Sequence, residues 1–132
     1  MIKIEMKIAE RYKRPVGEFV RRALEKYGGE IEEIILFGSV ARGEAREDSD
    51  VDILVVGNVS LEELVDISFP ILLEYEELIS AKNMNRAHFD FLVREGYSFA
   101  RNISKEGIKL YEGMGKAFGE GRREIRGSKS FV

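Results

Sequence analysis

Two short groups of residues in this chain have the types and spacing to do chemistry: Gly38-Ser39, and Asp50-Val51-Asp52 ten residues later. The aspartates stand at i and i+2 at the head of an apolar run, and side chains two apart on a strand point to one face. Their carboxylates therefore converge. Two carboxylates held together repel, and one takes up a proton unless a cation sits between them. Mg²⁺ suits such oxygens and leaves coordination positions for phosphate oxygens. Gly38 lets the backbone turn tightly and approach a ligand closely. Ser39 adds a hydroxyl donor, and free N–H groups at a helix start favour phosphate. Arg42 faces the phosphates or covers the turn. Phosphate donors beside metal-binding carboxylates are what phosphoryl chemistry needs. Each piece alone has a plainer reading: Gly-Ser after a strand is commonly a turn, Asp-x-Asp at a strand start commonly caps a loop, and Arg42 and Arg46 commonly pair with neighbouring acids. The combination is far rarer than its parts.

The elements that must position these residues can be read from periodicity. Residues 1–12 are ambiguous, with alternation at Ile2, Ile4, Met6 and Ile8 that suits a short strand. Pro15 suits a first helical position. Val16, Phe19, Val20, Ala23, Leu24 and Tyr27 then follow helical spacing until Gly28-Gly29 stops the helix. Ile34 to Phe37 and the segment VDILVV are short continuous apolar runs, as in buried strands. Ser60 and Glu63 form a capping box ahead of a helical stripe that includes Leu61, Leu64, Val65, Phe69, Leu72 and Leu73. Pro70 predicts a kink or break in that stripe. Leu78 to Met84 suits a third strand, and a helical stretch begins near Asn85. Phe99, Ile103, Ile108 and Tyr111 suggest a last helical region ending near Gly113. The order helix, strand, strand, helix, strand, helix predicts an α/β (α+β) domain: a small mixed sheet of three or four strands with flanking helices.

The bulk composition narrows the field. The chain has 132 residues, 44% apolar and 34% charged, with a net charge of -3. That fits one domain with a real core, spanning 1–112. Residues 113–132 hold five basic and two acidic residues among five glycines, which reads as a flexible basic tail. The mild acidity does not favour direct nucleic-acid binding. With no cysteine and one histidine, thiolate and His-rich metal sites are excluded. The opening MIKIEMKIAERYKR has no apolar signal region and no run reaches the roughly 18 residues of a membrane span. The expected location is the cytoplasm. A homo-oligomer is left open.

Gly38-Ser39, ten residues and Asp50-x-Asp52 match the GSx10DxD signature, and LFGSVARGEAREDSDVDILVV resembles the minimal nucleotidyltransferases of the polymerase-beta-like nucleotidyltransferase superfamily. The likeness extends more weakly through LIS at 78–80 and RNISKEGIKLYEG at 101–113, about 100 residues in all. The resemblance implies a nucleotidyltransferase fold. It implies that Asp50 and Asp52 hold Mg²⁺ and are catalytic, and that Gly38, Ser39 and Arg42 bind ATP or another NTP. Many small proteins of this kind resemble the antitoxin half of HEPN/MNT toxin–antitoxin pairs. That likeness implies transfer of AMP to a tyrosine of a helical HEPN-type partner. The alternative is a catalytically silent antitoxin that neutralises its partner by contact.

The sequence departs from the family in one respect. Active members add a third carboxylate from the third strand, and Leu78 to Met84 contains no acid. Glu76, Glu77 and Asp90 flank it, and Lys82, expected to face solvent, lies within it. His88 reads as a surface histidine. Phe89, Phe91, Tyr97 and Phe99 read as core or interface.

Overall fold

The computed structural model describes residues 8–113. The alternation at residues 2–6 and the basic segment 114–132 lie outside the described residues. Helix α1 runs Glu10–Tyr27 and leads through a single 3₁₀ turn into β1 (Ile31–Phe37). The short helix α2 (Gly38–Arg42) follows directly, then a loop and β2 (Val51–Gly57). Helix α3 (Leu61–Tyr75), β3 (Ile79–Met84), helices α4 (Arg86–Arg94) and α5 (Ser98–Glu106), and β4 (Ile108–Glu112) complete the chain. The sheet is ordered β3-β2-β1-β4. Strands β1 and β2 are antiparallel, β2 and β3 parallel, and β1 and β4 antiparallel. This is the mixed sheet expected from the sequence, with four strands.

The two central strands are apolar on both faces because helices cover both. On one face Ile34, Leu36, Ile53 and Val55 pack with Val16, Phe19 and Val20 of α1 and Leu64, Ile67 and Ile71 of α3. On the other, Ile35, Leu54 and Val56 pack with Phe89 of α4 and Ala100 and Ile103 of α5. Burial of these continuous runs is what a sheet covered on both sides requires. By alternation Asp52 shares the α4/α5 face with Leu54 and Val56. The Ser60–Glu63 capping box is present, with Ser60 Oγ accepting from the Glu63 N–H at 3.1 Å and Glu63 Oε1 accepting from the Ser60 N–H at 3.0 Å. Asn85 caps α4 in the same way, accepting from the His88 N–H at 2.7 Å.

Three local expectations are corrected. Helix α1 begins five residues before Pro15, which lies inside it. Tyr12 is 2% exposed, so its burial draws the helix N-terminally past the proline. Helix α3 continues through Pro70 as one element. Pro70 is on the exposed side, where water can take the bond lost at Asp66, while Ile67 and Ile71 stay buried. The last helix stops at Glu106, and Ile108–Glu112 is an edge strand on β1. A Cβ on Gly107 would sit 2.5 Å from Ile35 Cγ2 and 2.6 Å from the Ile103 carbonyl, so this turn against the sheet needs glycine. The alternation in IKLYE carried the strand period that the helical reading overlooked.

Candidate active site

The pairing of β1 with β2 sets Phe37 opposite Asp52, so the next residue, Gly38, lands against the aspartate side chain. Gly38 has φ +78°, and a Cβ there would lie 2.3 Å from Asp52 Oδ2. Glycine is therefore required twice, by conformation and by space. The turn and the acid pair, twelve positions apart in the chain, are one piece of structure. Ser39 follows in the first turn of α2, where the backbone N–H groups have no intrahelical acceptor. Gly43, at φ 74°, ends α2 by donating to the Ser39 and Val40 carbonyls.

The loop that carries Asp50 is held from outside. The Arg11 guanidinium donates to the carbonyls of Arg46 at 3.2 Å and Glu47 at 3.1 Å and pairs with Glu77 at 3.4 Å. The Tyr12 hydroxyl donates to the Arg46 carbonyl at 3.4 Å. Within the loop, Ser49 Oγ accepts from the Arg46 N–H at 2.7 Å. The Val51 N–H donates to the Leu78 carbonyl at 2.9 Å, which ties the acid pair to the start of β3.

Asp50 is exposed and Asp52 half-buried. Burial pushes the Asp52 carboxyl above the usual aspartate range; Lys82 opposes that shift, Asp50 adds to it, and Arg42 opposes it. A half-buried carboxylate beside a second one is the donor set that a hard divalent cation relieves. The two aspartates are therefore of a type and placement that would suit such a cation. Among the described residues no group of three or more acids or histidines is placed to hold an ion. Arg42 covers the turn, its Nε donating to Glu44 at 3.0 Å, and its side chain also borders a cavity beside Gly38.

The flanking acids do not complete the pair. Glu77 is held by Arg11, Asp90 by Arg86 at 3.1 Å, and Glu76 ends α3 in the left-handed conformation at φ 60°. The parallel register instead sets Ser80 beside Asp52 and Lys82 beside Leu54. Lys82 is exposed, as expected, yet it stands on the Asp52 face and its charge is felt at that carboxylate. His88 is an exposed helix residue. Phe89 is core, whereas Phe91, Tyr97 and Phe99 are 44%, 57% and 41% exposed. Sequence reasoning did not single out Asn102 and Glu106, which line the cavity together with Phe99. Their spacing, three then four residues, is one helix face and was the available signal.

Residues 16–110 match the nucleotidyltransferase domain family. A relative from Methanocaldococcus jannaschii, provisionally named a protein adenylyltransferase, is 41% identical over 98 residues, 74% of this chain and 96% of the relative. A solved structure provisionally described as a minimal nucleotidyltransferase superposes with a TM-score of 0.53 at 21% identity, over 82% of this chain and all of the other (100%). A toxin–antitoxin crystal structure with AMP-PNP superposes with a TM-score of 0.52 at 15% identity, over 73% of each chain. The chain belongs to the nucleotidyltransferase domain family and has the minimal nucleotidyltransferase fold. Its enzyme class is nucleotidyltransferase.

Proposed function

We propose that this protein transfers AMP from ATP to a hydroxyl of a partner protein, a tyrosine on a helical HEPN-type toxin, and so acts as an antitoxin. Residues 1–112 would be the transferase unit and residues 113–132 a basic appendage. The observation that carries the reading is the contact between Gly38 and the Asp52 carboxylate, which makes phosphate cradle and acid pair one site. The name of the Methanocaldococcus jannaschii relative and the nucleotide in the toxin–antitoxin structure support the same donor and setting.

In this reading Asp50 and Asp52 hold Mg²⁺, which when bound neutralises the triphosphate and the leaving pyrophosphate. The backbone at Gly38 and Ser39, with the Ser39 hydroxyl, orients the β- and γ-phosphates. Arg42, whose charge is felt at Asp52, would add positive charge at the phosphates. The acceptor oxygen bonds to the α-phosphorus as the bond to the β-phosphate oxygen breaks, and its proton passes to water. Positioning supplies most of the acceleration in such a transfer.

The domain offers a seat for a helical partner. Leu61, Val65, Phe69 and Leu73 of α3 are 51%, 49%, 54% and 68% exposed and form one stripe along the helix. Glu62 and Asp66 flank it, and α3 carries no basic residue. An amphipathic helix with a basic flank fits this surface. A second copy would set acids against acids.

A second reading, neutralisation by contact alone, is favoured by Ser80 occupying the place beside Asp52. One experiment separates the two. The protein is incubated with Mg²⁺ and ATP labelled at the α-phosphate, with and without the product of the neighbouring gene. Label on the partner that disappears in Asp50→Ala/Asp52→Ala is the expected result. A stable complex that never takes label would refute transfer and leave contact.

A further inference from the structure

The cavity beside Gly38 is a second, distinct compartment of the site. It has a volume of about 250 Å³ and is bounded by Phe37, Gly38 and Arg42 on one side and Phe99, Asn102 and Glu106 of α5 on the other. That is slightly below the roughly 300–1,000 Å³ of pockets that enclose whole drug-sized ligands. It suits a planar ring system rather than a complete nucleotide. Its wall is aromatic: Phe37 and Phe99 meet edge to face, with centroids 5.7 Å apart at 88°. Phe99 remains 41% exposed although its ring meets Phe37. Among the described residues the side chains of Asn102 and Glu106 have no hydrogen-bond or ion-pair partner. Gly38 belongs both to this cavity and to the proposed phosphate cradle, so a ligand held at the cradle can extend into it.

The geometry points to this cavity as the nucleobase subsite, with Asn102 and Glu106 reading the edge of adenine. The inference rests on the nucleotide site proposed above and adds to it the residues that choose the base. The amide of Asn102 has both a donor and an acceptor, which matches the amine and adjacent ring nitrogen of adenine. The Glu106 carboxylate is acceptor-only when ionised and takes the second amine hydrogen. Guanine carries a carbonyl oxygen where adenine has the amine. On that edge it would set lone pairs against Glu106, whereas the Asn102 amide can turn to pair with either purine. Phe99 contributes an apolar surface that does not distinguish one purine from the other. A pyrimidine, being smaller, would leave part of that surface uncovered.

The test is calorimetric titration of the full chain with Mg²⁺ and hydrolysis-resistant analogues of ATP and GTP. Wild type is expected to bind the ATP analogue about 10-fold tighter than the GTP analogue. Glu106→Gln, whose amide can donate to a guanine oxygen, should shrink that ratio to near unity. Asn102→Ala should weaken both analogues about 10-fold, because the amide can turn to pair with either purine. Phe99→Ala should weaken both alike. Circular dichroism of each variant checks that the exposed helix positions leave the fold intact. An ATP:GTP ratio in Glu106→Gln equal to that of wild type overturns the subsite. So does a wild type that prefers GTP. If these occur while Asp50→Ala/Asp52→Ala still abolishes binding, the nucleotide site survives and the base assignment alone falls. Absence of binding by either analogue overturns both.

Discussion

Replacing Gly38 with alanine should separate what holds the fold from what holds the site. The residue has φ +78°, and left-handed backbone costs a non-glycine residue about 1–2 kcal/mol. The new methyl would begin 2.3 Å from Asp52 Oδ2 and 3.2 Å from its Cγ. Ordinary contact starts near 3.4 Å, so the carboxylate must retreat by about 1 Å. It is a side-chain rather than a backbone atom, so the retreat costs the fold less than a backbone clash would. For a domain of this size, about 1–2 kcal/mol lowers Tm by roughly 4–9 °C. Function should suffer far more, because a 1 Å displacement of a group that positions reactants costs about 10²-fold in rate. The measurement is Tm by calorimetry alongside transfer of labelled nucleotide at saturating Mg²⁺. Gly28→Ala is the control, since a Cβ there meets nothing within 4 Å. Gly57→Ala is the opposite case: its Cβ would lie 2.2 Å from the backbone carbonyl of Glu30, which cannot swing away, so stability should fall more than site function. Transfer by Gly38→Ala within about 3-fold of wild type, at unchanged metal dependence, would refute the claim that this glycine seats Asp52.

Ser80→Asp places a carboxylate beside Asp52 on the parallel register. Without metal, like charges side by side should lower stability by about 0.5–1 kcal/mol, and Mg²⁺ should restore it and bind more tightly than to wild type, read as the metal-induced rise in Tm. Arg11→Ala releases the carbonyls of Arg46 and Glu47 and frees Glu77, so the Asp50 loop should gain hydrogen-exchange rates and nucleotide transfer should fall by about 10-fold, with Tm changing only slightly. Glu33 is 5% exposed and accepts from Arg86 at 2.6 Å and Lys109 at 2.9 Å. Glu33→Gln should cost about 2 kcal/mol in denaturant unfolding, below the full penalty for a broken buried pair because both cations keep part of their surface in water. For Lys109, burial lowers the pKa but the Glu33 bond outweighs it, and the net shift is upward from 10.5. A raised folded pKa stabilises fully below the unfolded value and is lost as pH rises through the folded one. Unfolding should therefore become easier above about pH 10.5 in wild type, and that alkaline loss should shrink in Glu33→Gln.

The strands and the acid pair were legible because their signals are local. Ile34 to Phe37 and Ile53 to Val56 are apolar without alternation, as a sheet covered on both faces requires, and helices do cover both. Asp50 ends the loop and Asp52 lies two residues on in β2, close enough for the Asp50 charge to be felt at the Asp52 carboxyl. The two prolines misled for the opposite reason. Proline's local preference is real, but at Pro15 the burial of Tyr12 outweighed it, and at Pro70 an exposed position made the missing bond inexpensive. In the last segment Ile103, Ile108 and Tyr111 satisfied a helical spacing that Gly107 interrupts, and edge pairing to β1 decided the outcome.

What the sequence could not display is which residue of β3 stands beside Asp52. That depends on the register between parallel strands, which is set by packing across the sheet. Ile79 and Ala81 turn to the α1/α3 core and Met84 to the α4/α5 core, and this parity puts Ser80 and Lys82 on the Asp52 face. A slip of one residue would reverse every assignment. The question of a third carboxylate thereby becomes a narrower one. The strand sets the Ser80 hydroxyl, not an acid, beside Asp52, and the nearby Glu77 is committed to Arg11. A site with two acids and a neighbouring lysine holds less negative charge than one with three. In the proposed reading a metal should therefore bind more weakly alone than together with the triphosphate, so that nucleotide and metal would bind cooperatively.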